Sequence, residues 1–174
     1  MSLDDKKKLI YIPYNDIEKS SKILNKFKND INCIIIEPIQ ACLPLGNTKN
    51  YLKFLENFCN KNNITLIFDE LITGIRIRPG SIQKKYNINA DITAIGKILG
   101  GGLPIGVIGI SEKINKIIKK KNIKVFFGGT FSGNSLTSFV GNETLKFLFK
   151  NKRLFSNLNK KCFYFQKSLN QFII

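Results

Sequence analysis

The amino-acid sequence predicts an α/β fold in which a mainly parallel β-sheet is flanked by layers of helices. Three observations lead to this prediction. Short apolar runs alternate with segments in which apolar residues recur every three or four positions, as strands alternate with amphipathic helices. The apolar runs are nearly continuous, as in strands that are covered on both faces. Charged residues follow three of them directly.

The predicted elements follow one another without an internal repeat or a clear linker. The apolar segments that favour strands are 8–14, 31–37, 64–68, 91–95 and 106–110. The segments with helical periodicity are 16–28, 48–60, 82–86, 111–121 and the stretch from 136 onward. Pro13 and Pro38 end the first two strands, and Asp16 is a typical N-cap of the first helix.

Several side chains are predicted to lie in the core. One stripe of the second helix is apolar and consists of Tyr51, Leu52, Leu55, Phe58 and Cys59. Cys33 lies in an apolar run, and we expect it to be buried as well. In the C-terminal helical region the predicted core contacts are Phe147, Leu148, Phe163 and Phe165.

The chain has the length of one ordinary domain and a strong positive charge. Its 174 residues include 28 Lys and Arg against 12 Asp and Glu, which gives a net charge of +16. Only three of the basic residues are Arg, whereas proteins that recognise nucleic acids commonly use the planar guanidinium group. A basic nucleic-acid-binding protein is therefore an alternative that rests on net charge alone.

Residue types that are absent exclude several kinds of chemistry. The sequence contains no His, which excludes Ser-His-Asp triads and His-containing metal sites. The four cysteines show no Cys-X-X-Cys spacing, and we expect no metal site. No apolar run approaches the ~20 residues that span a bilayer, and the N-terminal residues show no secretory signal. We therefore expect a cytoplasmic protein without disulfides or a membrane partner.

Charged residues mark the ends of three predicted strands. They are Glu37, Asp69 and Lys97. Because ligands of open α/β sheets bind beyond the carboxyl ends of the strands, these residues form a candidate site. Asp69 ends an apolar strand, where a carboxylate needs a partner. That partner is a cationic ligand, a structural ion pair or the backbone of a helix N-terminus, and the Asp69-Glu70 pair also leaves magnesium open.

Lys97 and a downstream loop offer complementary chemistry. Lys97 precedes Gly100–Gly102, and a glycine-lined setting excludes water from a lysine and favours its nucleophilic form. Those glycines also allow a planar ligand to approach the backbone. The alternative is that Lys97 is one of many surface lysines. The segment GGTFSGN at 128–134 has the hydroxyl and backbone N–H groups of a phosphate-binding loop, or is a simple polar turn.

Four segments together resemble the signatures of the class III aminotransferases, which are pyridoxal 5'-phosphate (PLP) enzymes of fold type I. These segments are IIIEPI at 34–39, IFDELITGIR at 67–76, ADITAIGKILGGGLPIGVIG at 90–109 and GGTFSGN at 128–134. Their order, spacing and placement at strand ends agree with the family. The glutamate-1-semialdehyde aminomutase branch is the most similar, because Ile72 is apolar as in that branch. Cys42 stands where ornithine-type members have Glu.

The resemblance implies a role for each matching residue. Lys97 is the lysine that carries PLP covalently and moves a proton at the substrate, and Asp69 pairs with the pyridine nitrogen. Leu71 packs against the ring face, and Glu37 is a nearby carboxylate. Thr130 binds the PLP phosphate of the neighbouring subunit, so the site is built across a dimer. The implied function is transamination or aminomutase chemistry on an amino acid or an amino-aldehyde, with a small-molecule amino donor or acceptor.

A member of this family is more than twice as long as this chain. We expect residues 1–150 to form the central part of the PLP-binding large domain. Residues 151–174 then continue as a helix toward a C-terminal small domain. The part of the family that holds the PLP phosphate is not matched, so we expect weak PLP binding and an activity that requires a homodimer or a complementary fragment. A non-catalytic truncated fragment is the other alternative.

Overall fold

The computed structural model describes residues 9–44, 46–126, 128–130 and 132–172. They form a four-stranded sheet with the order β1-β2-β3-β4. The strands are Cys33–Ile36, Thr65–Glu70, Ile92–Gly96 and Gly106–Ile110. The first three strands are parallel, and β4 runs antiparallel to β3. The predicted α/β fold with a mainly parallel sheet is confirmed.

Helices alternate with the first three strands and follow the fourth. In chain order α1 to α6 are Ile17–Phe27, Lys49–Asn62, Ser81–Tyr86, Glu112–Lys120, Ser135–Lys150 and Arg153–Phe172. A 3₁₀ turn, Lys97–Gly100, follows β3 directly. Asp16 caps α1 as predicted, because its Oδ1 accepts a hydrogen bond of 2.9 Å from the backbone N–H of Lys19. Within the described ranges, no helix combines the length and the apolarity that a membrane crossing needs.

One face of the sheet carries the main hydrophobic core. Leu66 and Phe68 of β2 lie on this face and are 1% and 0% exposed, because alternate residues of a strand share a face. They pack in one cluster with the predicted apolar stripe of α2 and with Leu24 of α1. The prediction for the α2 stripe is confirmed, since all five of its residues are buried.

The opposite face, which we call the open sheet face, consists of Ile35, Ile67, Asp69 and Ile108 together with their register partners. Ile35 is 69% exposed and Ile108 is 66% exposed, while Ile67 and Asp69 are half-buried. The prediction that the strands are covered on both faces is therefore wrong for this sheet. An apolar face of this kind is the surface that a further layer of protein normally covers.

The segment 9–14 is not a strand, contrary to the prediction for 8–14; residue 8 lies outside the described residues. Side chains rather than a strand ladder hold this segment. The carbonyl of Pro13 accepts hydrogen bonds from Ser20 Oγ at 2.8 Å and from Tyr51 OH at 3.0 Å. Tyr14 OH donates to the Pro38 carbonyl at 2.9 Å, and burial raises the pKa of Tyr14 to about 12.

The helices α5 and α6 contribute to a second, smaller cluster. Its buried members are Ile75, Leu99 and Phe155, and Leu148 is half-buried against them. Phe147, Phe163 and Phe165 are exposed at 57%, 64% and 67%. The prediction that these three belong to the core is wrong. Within the described residues, most of the apolar side chains of α5 and α6 have no layer of protein packed over them.

The four cysteines differ in their access to solvent. Cys59 is buried as predicted, whereas Cys33 is exposed, contrary to the prediction, because it begins the edge strand β1 on the open sheet face. Cys42 and Cys162 are also exposed. Burial raises the pKa of Cys59 to about 12, so its thiolate is scarce at neutral pH.

The difference in burial between Cys59 and the other three cysteines predicts selective thiol labelling. With a maleimide at pH 7, Cys33, Cys42 and Cys162 are expected to react in the native chain, and Cys59 more than about a hundredfold more slowly. Peptide mass spectrometry of samples quenched over time measures the four rates. Urea removes the burial and is expected to equalise them. Equal rates without urea would contradict the burial of Cys59 against the sheet.

Candidate functional site at the carboxyl end of the sheet

Lys97 lies directly after β3, at the carboxyl end of the parallel strands. Its backbone φ is +47°, in the left-handed region that residues other than Gly and Asn rarely adopt. Such strain is kept where the surroundings over-determine the backbone, which is typical of functional positions. The Lys97 side chain is exposed, so the water-excluding setting that the neighbouring glycines suggested is not found in this chain.

Gly96, immediately before Lys97, sits where there is no room for a side chain. A Cβ at this position would lie 2.8 Å from Leu71 Cδ2 and 2.9 Å from the carbonyl oxygen of Ile105. Leu71 therefore packs directly on the backbone that leads into Lys97. This contact connects the residue after β2 with the residue after β3.

Lys97 lines an open cavity of about 730 Å³. Thr130 and Ser132 of the loop 128–134 line the same cavity, as does Thr137 from the first turn of α5. Phe131 of this loop lies outside the described residues. The structure thus brings together an amine and several hydroxyl groups from distant parts of the sequence, which is a donor set suited to an anionic ligand with an electrophilic carbon.

The loop beside the cavity is held in a turn that requires glycine. Gly129 and Gly133 have φ values of +145° and +70°, which L residues adopt only with strain. The Ser132 N–H donates to the Gly129 carbonyl at 2.9 Å. Asn134 then caps α5, because its Oδ1 accepts from the Thr137 N–H at 3.1 Å. The loop therefore presents its hydroxyl groups from a defined backbone.

Asp69 lies at the same end of the sheet but is not among the described residues that line the Lys97 cavity. It is half-buried on the open sheet face, opposite Ala94 of β3. Its Oδ1 accepts a hydrogen bond of 3.0 Å from the N–H of Leu71. Asp69 is thus fixed relative to Leu71, which contacts Gly96 beside Lys97.

Glu37 follows β1 and is also outside the lining of that cavity. Its Oε2 accepts a hydrogen bond of 3.1 Å from the N–H of Ala41. The structure therefore brings Lys97 and Thr130 into one cavity, joins Leu71 to the Lys97 backbone, and leaves Asp69 and Glu37 on the neighbouring strand ends.

The glycine cluster after Lys97 has a packing role. Gly101 has φ +57°, and a Cβ there would lie 2.5 Å from Thr144 Oγ1 of α5. From the other side, a Cβ at Gly141 would lie 3.0 Å from Ile105 Cδ1. These glycines allow α5 to pack closely on the 3₁₀ turn. The sequence analysis gave Gly100–Gly102 a role in the approach of a ligand and did not predict this packing role.

Two buried carboxylates of the sheet, Glu70 and Asp91, have structural roles that their sequence context did not predict. Glu70 is 0% exposed, and Asp91 is 7% exposed. Asp91 Oδ2 accepts from the Leu66 N–H at 3.0 Å, and its Oδ1 lies 3.1 Å from Lys113 Nζ. Asp91 thereby ties the starts of β2 and β3 to α4. For Asp91, the only signal in the sequence was an acidic residue at the start of an apolar run.

Comparison with known proteins decides the family. The family described as Aminotransferase class-III matches residues 5–173, nearly the whole chain. The chain belongs to the class III aminotransferases. This confirms the family that the four sequence segments resemble.

Sequence relatives of this class III aminotransferase chain include aminomutases. It is 45% identical over 167 residues to the glutamate-1-semialdehyde 2,1-aminomutase of Wigglesworthia glossinidia brevipalpis, covering 94% of this chain and 37% of the relative. It is 38% identical over 154 residues to the enzyme of the same name from Thermosipho melanesiensis, covering 88% of this chain and 36% of the relative. The chain thus spans less than two fifths of each of these relatives.

Solved structures show the same fold. The acetylornithine aminotransferase of Elizabethkingia anophelis superposes with a TM-score of 0.79 at 29% identity, covering 94% of this chain and 40% of that one. A transaminase with PLP bound superposes with a TM-score of 0.68 at 27% identity, covering 79% and 33%. These likenesses confirm that the four-stranded sheet and its helices are part of an aminotransferase fold.

Proposed function

We propose that this chain forms the central part of a PLP-dependent enzyme that performs transamination or aminomutase chemistry on an amino acid or an amino-aldehyde. Residues 1–150 supply the central part of the cofactor domain, and residues 151–174 lead toward a small domain. The observation that carries the proposal is that Lys97, which matches the cofactor lysine of the family, directly follows β3 and lines a cavity at the carboxyl end of the sheet.

The residues of the cavity fit PLP in their donor chemistry. The Lys97 amine suits covalent attachment to an aldehyde, and the hydroxyls of Thr130 and Ser132 suit the phosphate of the PLP that a neighbouring subunit holds. The volume of about 730 Å³ lies within the range of small-molecule pockets. PLP supplies an electron sink that stabilises negative charge on the carbon beside an amino group.

The chain's own residues have separate tasks in this proposal. Lys97 Nζ holds the cofactor and takes up or delivers a proton at the substrate carbon. The carboxylate of Asp69, oriented by the Leu71 N–H at 3.0 Å, stabilises positive charge on the ring nitrogen. Leu71, which packs on Gly96, contacts the face of the ring. Thr130 binds the PLP phosphate of the neighbouring subunit, and Glu37 supports the surroundings of the ring from the end of β1.

The proposal includes a protein partner. The open sheet face is mostly apolar, with Ile35 and Ile108 exposed on it, and β1 and β4 are edges of the sheet in the described residues. Both features favour further protein, either a second copy of the chain or a complementary fragment. The partner supplies the remaining phosphate donors. The free thiols, of which three are exposed, support a reducing compartment, and we propose the cytoplasm.

PLP titration tests this function. The chain is titrated with PLP alone and together with the flanking segments of the Wigglesworthia relative that it does not match, and the visible absorbance band is followed. A band that borohydride bleaches and that is absent in Lys97→Ala, in either arm, supports the proposal. No band in both arms contradicts it and favours a non-catalytic fragment, and salt-sensitive DNA retention without PLP uptake favours the nucleic-acid alternative.

A substitution of Asp69 tests its proposed role in PLP binding. Asp69→Asn removes the negative charge while keeping the shape of the side chain, so PLP uptake is expected to weaken by about tenfold. Asp30→Asn is the matched control, because Asp30 is an exposed residue after α1 and undergoes the same chemical change. Equal PLP affinity of the two variants would remove Asp69 from the site.

A further inference from the structure

Glu70 is a fully buried carboxylate next to the candidate site. It is the last residue of β2 and is 0% exposed. Because neighbouring residues of a strand point to opposite faces, its side chain lies on the core face while Asp69 lies on the open sheet face. The two carboxylates therefore cannot share one ion, which argues against the magnesium alternative that the sequence left open.

The carboxylate of Glu70 holds both ends of the loop 71–81. Near the start of the loop, Thr73 Oγ1 donates to Glu70 Oε2 at 3.1 Å. Beyond its end, the Ile82 N–H donates to the same oxygen at 3.1 Å, and Gln83 Nε2 donates to Oε1 at 3.4 Å. Burial raises the pKa of Glu70, and these hydrogen bonds oppose the rise. The Glu70 side chain thus links the start of the loop 71–81 to the residues just beyond its end.

The closed loop holds a strained backbone. Ile75 and Ser81 have φ values of +57° and +59°, which is unfavourable for a β-branched residue above all. The Ile75 N–H donates to Ser81 Oγ at 2.9 Å. The Gly74 N–H donates to the Glu70 carbonyl at 2.8 Å, and a Cβ on Gly74 would lie 2.5 Å from that oxygen. This conformation needs the Glu70 bonds to persist.

The loop begins at the residue that connects the two strand ends. Leu71 donates its N–H to Asp69 and covers Gly96, the residue before Lys97. We propose that Glu70 is a positioning residue: by closing the loop 71–81 it keeps Leu71 seated on Gly96 and so fixes Asp69 relative to the Lys97 turn. The catalytic relevance of this positioning rests on the proposed function.

The first test uses the PLP-free chain, so that it does not depend on PLP binding. Glu70→Gln places an amide NH₂, which donates, beside three groups that also donate hydrogen bonds to Glu70. Thr73→Val removes only the hydrogen bond from Thr73 Oγ1 to Glu70. Leu55→Ala is the control: it destabilises the same core from α2, where Leu55 is 0% exposed. Amide hydrogen exchange is measured for residues 71–82 and for the turn 96–101 under native conditions.

In Glu70→Gln, exchange in residues 71–82 and in the turn 96–101 is expected to accelerate by about tenfold or more. Thr73→Val is expected to produce a smaller change in the same residues. Leu55→Ala is expected to accelerate these two segments no more than the rest of the sheet. Faster exchange in 71–82 with an unchanged turn would overturn the proposal, because Glu70 would then hold only its own loop. If Glu70→Gln does not fold, Thr73→Val decides between the same two results.

The second test repeats the PLP titration with these variants. Glu70→Gln is expected to weaken PLP uptake by about tenfold relative to Leu55→Ala. Equal uptake would overturn the link from Glu70 to the site. If the wild-type chain forms no PLP band with or without the flanking segments, the proposed function fails, while the exchange result still decides whether Glu70 positions the Lys97 turn.

Discussion

Replacing Lys97 with alanine is expected to remove the borohydride-reducible PLP band, lowering its amplitude by more than about a hundredfold. The reason is that the linkage needs an amine in the cavity, and Lys97 is the lysine among its described lining residues. The hydroxyls of Thr130 and Ser132 cannot replace it. Difference absorbance during the PLP titration measures the effect.

Lys120→Ala is the control for this experiment. Lys120 is exposed at the end of α4, so its loss lowers the net charge by the same amount without touching the cavity. The control is expected to retain the band in full. If Lys97→Ala retained the band and Lys120→Ala lowered it, the aldehyde would be reacting with the basic surface and not with a site.

Phe68→Ala is expected to cause the largest loss of stability of any single change in the sheet. Phe68 is 0% exposed in the centre of β2, within the cluster that joins the sheet to α2. Truncation of a buried Phe costs about 3–5 kcal/mol, which is a large part of the 5–15 kcal/mol that is typical of a whole domain. The urea midpoint, followed by circular dichroism, measures the shift.

Ile35→Ala is the matched control on the other face. Ile35 is 69% exposed, and its truncation is expected to cost less than about 1 kcal/mol in the lone chain. When a partner covers the open sheet face, the same change is expected to become costly. Equal shifts of the midpoint for Phe68→Ala and Ile35→Ala in the lone chain would contradict the assignment of the core to one face.

The sequence predicted the elements whose pattern is local. The apolar stripe of α2 and the strand predicted over 64–68 were predictable, because helical periodicity and an apolar run indicate which elements form. The predicted N-cap at Asp16 was local in the same way. These features depend on neighbours within one or two turns of the chain.

The errors concern properties that the fold as a whole decides. A continuous apolar run at 31–37 suggested two covered faces, but within the described residues β1 is an edge strand, and Ile35 on its second face is exposed. The segment 9–14 has strand-like composition, yet Pro13 accepts side-chain hydrogen bonds in place of ladder bonds. Neither outcome is visible without knowing which elements pack together.

The site was predicted in part. Family signatures indicated Lys97 and Thr130, and the structure places both on one cavity. The opposite orientations of Asp69 and Glu70 follow from strand alternation, but the closure of the loop 71–81 by Glu70 depends on contacts with Ile82 and Gln83. Because that role depends on Ile82 and Gln83, which lie more than ten positions after Glu70, no local sequence pattern predicts it.

Mapping the site of PLP attachment tests the central claim most directly. The chain is incubated with PLP, with and without the complementary flanking segments, reduced with borohydride, digested and analysed by peptide mass spectrometry. We expect the pyridoxyl group on the peptide that contains Lys97. A label spread over the exposed lysines of α4, or fixed on another lysine, would contradict the assignment of Lys97 as the cofactor lysine.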